Sequence, residues 1–229
     1  MTNYLTRIFN RVLFASLLFL LSGLTSTPAN GKEYHYQEQK GKEITSFTWK
    51  IKNSGGKAHI SVLKNSNSYI STCNNDGSTR YWKMTDIKKG DFEVTRVNNL
   101  LNIIGKMDGE VYENSVGLND KPWFQSPYYA LGKFIDSSYR DISFWIFQEG
   151  NIEPVILNAR KRGAESIVVN SKTIQAQKVE VRSDDFFSKL WRGFYWFREG
   201  DNRLVMYRSE SGIPGIKDTI VTLTDNPPN

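Results

Sequence analysis

The sequence predicts a mainly β fold, a strongly bent antiparallel sheet or half-barrel with one main helix packed in its concave face. Three observations lead there. Short segments of alternating polarity begin at Lys32, Asn/Asp/Gly clusters separate them at close intervals, and one stretch of helical periodicity, Trp123 to Tyr139, interrupts them. Strands joined this tightly must be antiparallel, because a parallel crossover needs roughly a dozen residues or more.

Taken in order, Thr45, Phe47, Trp49 and Ile51 alternate along a strand, Asn53-Ser54-Gly55-Gly56 turns, and Ala58, Ile60 and Val62 alternate along the next. Tyr69 to Cys73 and Arg80 to Thr85 flank Asn74-Asn75-Asp76-Gly77. Phe92 to Val97 and Leu100 to Gly105 flank Asn98-Asn99, residues that tolerate positive φ, and Val111 to Val116 follows Met107-Asp108-Gly109. The second half repeats the texture with Phe144 to Phe147, Pro154 to Arg160, Ser166 to Val169 and Thr173 to Arg182. Phe194 to Glu199 then pairs across Gly200-Asp201-Asn202 with Arg203 to Ser209, and Lys217 to Leu223 closes the sheet. Within Thr173 to Arg182 the apolar phase moves from Ile174 and Ala176 to Val179 and Val181, which predicts a β-bulge near Gln177-Lys178.

In the main helix Ser126 is placed to cap and Pro127 suits the first helical position. Tyr128, Leu131, Phe134, Ile135 and Tyr139 recur at helical spacing, so the stripe must cover something. Ser183-Asp184-Asp185 before Phe186-Phe187 and Leu190-Trp191 predicts a shorter helix, its acids favoured by the N-terminal dipole.

The domain plan is a signal peptide over 1–29, a single antiparallel β domain over 30–225 and a frayed tail over 226–229. Arg7 and Arg11 precede an apolar run from Val12 to Leu21, and Thr27 and Ala29 offer small residues for cleavage after Ala29. Ser16, Ser22 and Gly23 break that run, whereas a retained anchor needs about twenty apolar residues. Export to the periplasm, with no integral membrane segment in the mature chain, is therefore expected. That location argues against nucleic acid as a partner.

Removing Arg7 and Arg11 lowers the formal net charge from +6 to +4. The tight basic groups, Lys88-Lys89 and Arg160-Lys161-Arg162, sit beside glycines and read as solvated loop charge. The single cysteine, Cys73, can form no internal disulfide, so burial must hold the domain together; it reads as a small strand-end hydrophobe. No Asn begins an Asn-x-Ser/Thr sequon.

Catalytic signatures are missing: there is no G-x-G-x-x-G, Walker loop, H-E-x-x-H, C-x-x-C or G-x-S-x-G. Of the two histidines, His59 falls on the face opposite Ala58, Ile60 and Val62, a solvent-side position. Asp184-Asp185 reads as helix N-terminal charge and Glu199 with Asp201 as turn chemistry. No cofactor or metal is expected, and no enzymatic activity.

What is enriched is aromatic: six Trp, eleven Tyr and thirteen Phe, 13% of the chain. Placed alternately on strands and along the helix candidates, they line a concave face that is either filled by the helices or holds an apolar ligand. The ligand-facing candidates are Trp82, Met84, Phe92, Leu131, Phe134, Trp145, Trp196 and Met206.

Trp82-Lys83-Met84, Asp91-Phe92 leading through Gly105 and Gly109, the Trp123 segment, Gln177-Lys178-Val179, and the ending Trp196-Phe197, Gly200-Asp201-Asn202, Leu204-Val205-Met206-Tyr207, Pro214-Gly215 together resemble a family of exported bacterial proteins of uncharacterised activity. That family is similar in fold to the periplasmic lipoprotein-carrier group, LolA-like and LppX-like, in which a bent sheet wraps around helices and cradles acyl chains. The resemblance implies non-covalent binding of an apolar or amphipathic envelope component, a lipid or lipoprotein. This chain lacks the lipid-attachment cysteine some relatives of that fold carry. Two other readings stay open: an envelope interaction module with a filled core and a protein partner added to an edge strand, and a cell-wall or polysaccharide hydrolase using a carboxylate pair. In the carrier reading the helix from Pro127 to Ser138 is a plug whose displacement opens the concave face.

Overall fold

A computed structural model describes residues 31–86, 90–147, 153–183, 191–211 and 217–224. The expected signal peptide, the shorter helix and the terminal tail lie outside them, as do Lys88-Lys89 and Asp184-Asp185. The strands are β1 (Lys32–Lys40), β2 (Glu43–Ser54), β3 (Lys57–Lys64), β4 (Asn67–Asn74), β5 (Thr79–Asp86), β6 (Gly90–Val97), β7 (Leu100–Met107) and β8 (Glu110–Gly117). Then follow α1 (Pro127–Asp136), β9 (Asp141–Phe147), β10 (Pro154–Val169), β11 (Lys172–Ser183), β12 (Trp191–Arg198), β13 (Leu204–Ser211) and β14 (Thr219–Thr224).

All described strands join one antiparallel sheet in the order β8-β7-β6-β5-β4-β3-β2-β1-β14-β13-β12-β11-β10-β9. Within β1–β8 and within β9–β14 each strand pairs with the next one along the chain, and β14 returns to pair with β1, Lys40 opposite Thr219 and His35 opposite Thr224. The last strand therefore fuses two meanders at the middle of the sheet instead of finishing an edge. The free ends are β8 and β9, which the sequence joins through α1, so the sheet bends but does not close into a barrel.

The turn chemistry follows the sequence. Gly55 and Gly56 both take positive φ, 58° and 71°, the pair of left-handed residues that a two-residue hairpin demands. Asn98 does so at 54°, and Asn170-Ser171 at 49° and 62°.

Three expectations about the second half are corrected. Pro154 to Arg160 and Ser166 to Val169 are one continuous strand, β10, because Gly163, at φ 97°, carries a bulge and not a turn. That bulge lies on β10, where Arg162 is the extra residue between the pairs Lys161–Val179 and Gly163–Lys178, and not on β11 at Gln177-Lys178. The apolar phase of β11 moves for another reason: Val179 and Val181 join the inner core, whereas Ala176 packs on the outer face with Trp196 and Val205. The tripeptide Arg160-Lys161-Arg162 is strand, not loop. Arg160 pairs with Asp141, Arg162 with Glu180, and Lys161 donates to the carbonyls of Ile135 and Ser137 at 2.9 and 2.6 Å.

The helix begins at Pro127 as expected, but Ser126 makes no capping bond; its hydroxyl donates to Ser71 Oγ at 2.9 Å. The helix ends at Asp136, and Tyr139, beyond it, is 68% exposed and outside the apolar stripe. Leu131 and Phe134 are buried against the sheet, within a core that gathers Tyr36, Phe47, Trp49, Phe144, Val179, Tyr195, Phe197 and Leu204. A second inner cluster, Trp82, Phe92, Val94, Leu101 and Ile103 with Leu118, Trp123 and Phe147, lines β5–β7.

Candidate functional site

The helix reaches only part of the concave face. Ten residues at 1.5 Å rise span about 15 Å, while the fourteen strands of the described residues, spaced about 4.8 Å apart, present a far wider surface. Beside the helix N-terminus a cavity of ≈ 580 Å³ remains, open on one side. That volume falls within the roughly 300–1,000 Å³ usual for small-ligand sites.

Strand alternation builds its wall. Phe47 and Trp49 of β2, Val62 of β3, Tyr69 and Ser71 of β4, Trp82 and Met84 of β5, Phe92 and Val94 of β6 and Ile103 of β7 all project from the inner face. Cross-strand register makes this a continuous surface, with Val62 opposite Tyr69, Tyr69 opposite Met84, Met84 opposite Phe92 and Val94 opposite Ile103. Trp82 stacks on Phe147 of β9 at 5.9 Å, which folds the far edge over the wall.

The floor is aromatic. Tyr128, the second helical residue, meets Trp49 edge-on at 5.6 Å and lies 5.9 Å from Tyr36, 6.2 Å from Tyr195 and 6.3 Å from Tyr207. Burial pushes the hydroxyls of Tyr128 and Tyr195 well above the ordinary tyrosine range and that of Tyr207 up to about 12, so the floor stays uncharged. Charges enter only toward the mouth, where Lys64 pairs with Glu38 at 2.8 Å and Asp86 accepts from Asn67 at 3.0 Å.

The segment before the helix is pinned by Gln125. Its backbone N–H donates to Thr79 Oγ1 at 2.9 Å, its Oε1 accepts from the Trp123 indole and the Phe147 amide, and its Nε2 donates to the Phe147 carbonyl at 3.2 Å. Phe124 donates to the Trp145 carbonyl and Trp145 to that of Pro122, both at 2.8 Å. This segment covers the edge of β9. Strand β8 is the uncovered edge, with Val111 72% exposed.

The candidate residues divide into three groups. Trp82, Met84 and Phe92 line the cavity. Leu131 and Phe134 lie in the helix–sheet core and do not reach it, and Trp145 sits at the β9 edge with its indole donating to Asn119 at 3.0 Å. Trp196 and Met206 are corrected to the opposite face, where Trp196 packs with Ala176 and Val205. The alternation that puts Tyr195 and Phe197 inside forces Trp196 outside. Reasoning on residue type missed Tyr128, Tyr195, Tyr207 and Gln125; the helix N-terminal placement of Tyr128 was the available signal.

The residues weighed for chemistry do not assemble. Ala58 pairs with Cys73 and His59 with Thr72, so Cys73 faces the core while His59 faces solvent. Burial raises the Cys73 thiol to about 11. Burial pushes the Asp201 carboxyl up, but bonds from Arg198 and the Arg203 amide outweigh it and hold it below the usual range; Glu199 accepts from Gln177. Among the described residues no group of His, Cys, Asp and Glu could hold a metal, and no helix is long and apolar enough to cross a membrane.

No protein-family model matches this chain, and no curated protein matches it in sequence. Among solved structures, the β-barrel-like protein of the domain of unknown function DUF1849 from Brucella abortus superposes with a TM-score of 0.58 at 7% identity, covering 85% of this chain and 98% of that one. The hypothetical lipoprotein YmcC from Escherichia coli covers 86% of this chain and 87% of its own at 12% identity, with a TM-score of 0.36. The MucA/MucB complex of Pseudomonas aeruginosa gives 0.20 at 8% identity, over 85% of this chain and 88% of that one. The first likeness shows the fold, a barrel-like sheet left open; the other two carry no argument. None of the three specifically shows the lipoprotein-carrier fold.

Proposed function

We propose that this chain is an exported, periplasmic envelope protein that binds the apolar part of an amphipathic ligand, a lipid or an acylated protein, in the cavity beside α1. The observation that supports this is a cavity of ≈ 580 Å³ with an aromatic, uncharged floor, present with the helix in place. An open apolar cavity is unusual in a folded domain, since interiors normally pack to crystal-like density. The reading revises the plug mechanism. Gly77 packs against Ala130, Gly132 against the Asn202 carbonyl, and Lys161 and Asn202 hold the helix C-terminus, so entry runs through the mouth beside Lys64 and Asp86 and not through helix displacement. It assigns no catalytic role: Glu38 and Asp86, the carboxylates lining the cavity, are bonded to Lys64 and Asn67.

Titration with a dansyl-labelled undecanoic acid tests this. Emission should saturate near one equivalent, and filling the wall with Val62→Trp should weaken binding while the thermal midpoint holds. Non-saturable emission, or the same affinity in Val62→Trp, overturns it. A second reading, an envelope module that takes a partner strand, is favoured by the uncovered β8 edge.

A further inference from the structure

Resting on that reading, we infer that the ligand carries an anionic head, held at the mouth by Lys40 and Lys217, with its chain directed toward β5–β7. The cations that line the cavity lie on one side of it, Lys40 on β1, Lys64 on β3 and Lys217 before β14. Toward β5–β7 its wall carries Trp82, Phe92, Val94, Ile103 and Phe147, with uncharged Ser71 and Gln125 beside them. Its other end, where β1 turns into β2 and β14 begins, carries Lys40, Lys217 and Thr219.

The two lysines flank the β1–β2 turn and the start of β14. Lys40 pairs with Thr219 across β1 and β14, and Lys217 lies two residues before Thr219. Its stem crosses the β1–β2 turn at Gly41, where a Cβ would stand 2.4 Å from Lys217 Cδ and 3.1 Å from its Nζ. Gly41, at φ 64°, thus leaves the space in which the Lys217 chain lies beside Lys40.

The acids that line the cavity are engaged, Glu38 with Lys64 at 2.8 Å and Asp86 with Asn67 at 3.0 Å, while Glu43, opposite Lys40, and Asp218, beside Lys217, lie outside the lining. Lys40 and Lys217 form no ion pair among the described residues. Two lysines at one end of a cavity with an uncharged aromatic floor offer point charges for a carboxylate or phosphate, with the lysine stems completing the apolar collar. A cationic head placed there meets two like charges.

The test is calorimetric titration of the whole chain, below the critical micelle concentration of each probe, with dodecanoate, dodecyl phosphate, dodecyltrimethylammonium and dodecyl maltoside. At low ionic strength the two anions should bind roughly tenfold tighter than the cation, as two partly exposed charge contacts allow, and the gap should narrow with added salt. Lys40→Glu with Lys217→Glu should invert that order. The same charge change at exposed Lys52 and Lys57 should leave the order intact. Tighter dodecyl phosphate assigns a phosphorylated head, tighter dodecanoate a fatty acid. Equal affinities across the head groups, or an equal response to the Lys52 and Lys57 changes, overturn the inference while leaving the cavity reading standing. Failure of every probe to bind overturns the cavity reading itself.

Discussion

The two halves of the concave face belong to one sheet and use the same residue types, yet one is filled and the other is not. Under α1, Leu131 and Phe134 are buried among Phe144, Val179 and Phe197. Toward β4–β7, Tyr69 and Met84 keep accessible surface, although their neighbours Trp82 and Phe92 are buried. The difference lies in the cover. A ten-residue helix spans a few strands of a fourteen-stranded sheet, and its ends are fixed by close contacts that stop it sliding. A filled core and a binding cavity can therefore share one wall, divided by the length of a helix.

The sharpest way to break this comparison is one truncation on each side. Leu131→Ala should cost about 2–5 kcal/mol in urea unfolding, since its site is closed on all sides. Met84→Ala borders space that already exists, and should cost less than about 1.5 kcal/mol. Equal costs would show that the cavity closes in solution.

A pair of glycine substitutions isolates the helix seat. Gly77 has φ 89°, and a Cβ there would stand 2.7 Å from Ala130 Cα; Gly109 also has φ 89° but has nothing within 4 Å. Gly109→Ala should cost the backbone strain alone, about 1–2 kcal/mol. Gly77→Ala should exceed it by on the order of 1 kcal/mol, because the helix must shift. Identical midpoints would mean that α1 is not seated on that turn.

A smaller effect is expected from Lys161→Met, which removes the donor to the last helix carbonyls. About 0.5–1 kcal/mol should be lost, read first as faster amide exchange at the end of α1. Unchanged exchange there would leave the clamp to Asn202 and Asp136.

The smallest is a pH effect at the β12–β13 turn. The Asp201 carboxyl is held below its ordinary value in the folded chain. Its contribution is thus fully present above the unfolded value near 4 and is lost as pH falls through the lower folded one. Asp201→Asn should therefore flatten the decline of the urea midpoint below about pH 4, and an unaltered acid limb would assign the decline to other carboxylates.

Much of this molecule was legible in order along the chain. Alternation at Thr45–Ile51 and Ala58–Val62, the left-handed Gly55-Gly56 pair, and the Pro127 start of the helix with Leu131 and Phe134 on its buried stripe follow from backbone sterics and periodicity, which act over a few residues. Local rules fail where two distant segments decide one outcome. Gly163 reads as a stop, yet the partner β11 carries the strand through it as a bulge. Trp196 and Met206 match the other candidates in type, yet register with β11 and β13 turns Trp196 to the outer face, where Met206 also packs.

By itself the sequence determined an antiparallel meander, one amphipathic helix and an aromatic-rich interior, because each depends on neighbours in the chain. Only the tertiary structure decided that β14 joins β1 at the centre, that β9 is covered while β8 is open, and that a cavity remains beside α1. Those outcomes depend on how far one short helix reaches across a wide sheet, a distance that no local pattern encodes.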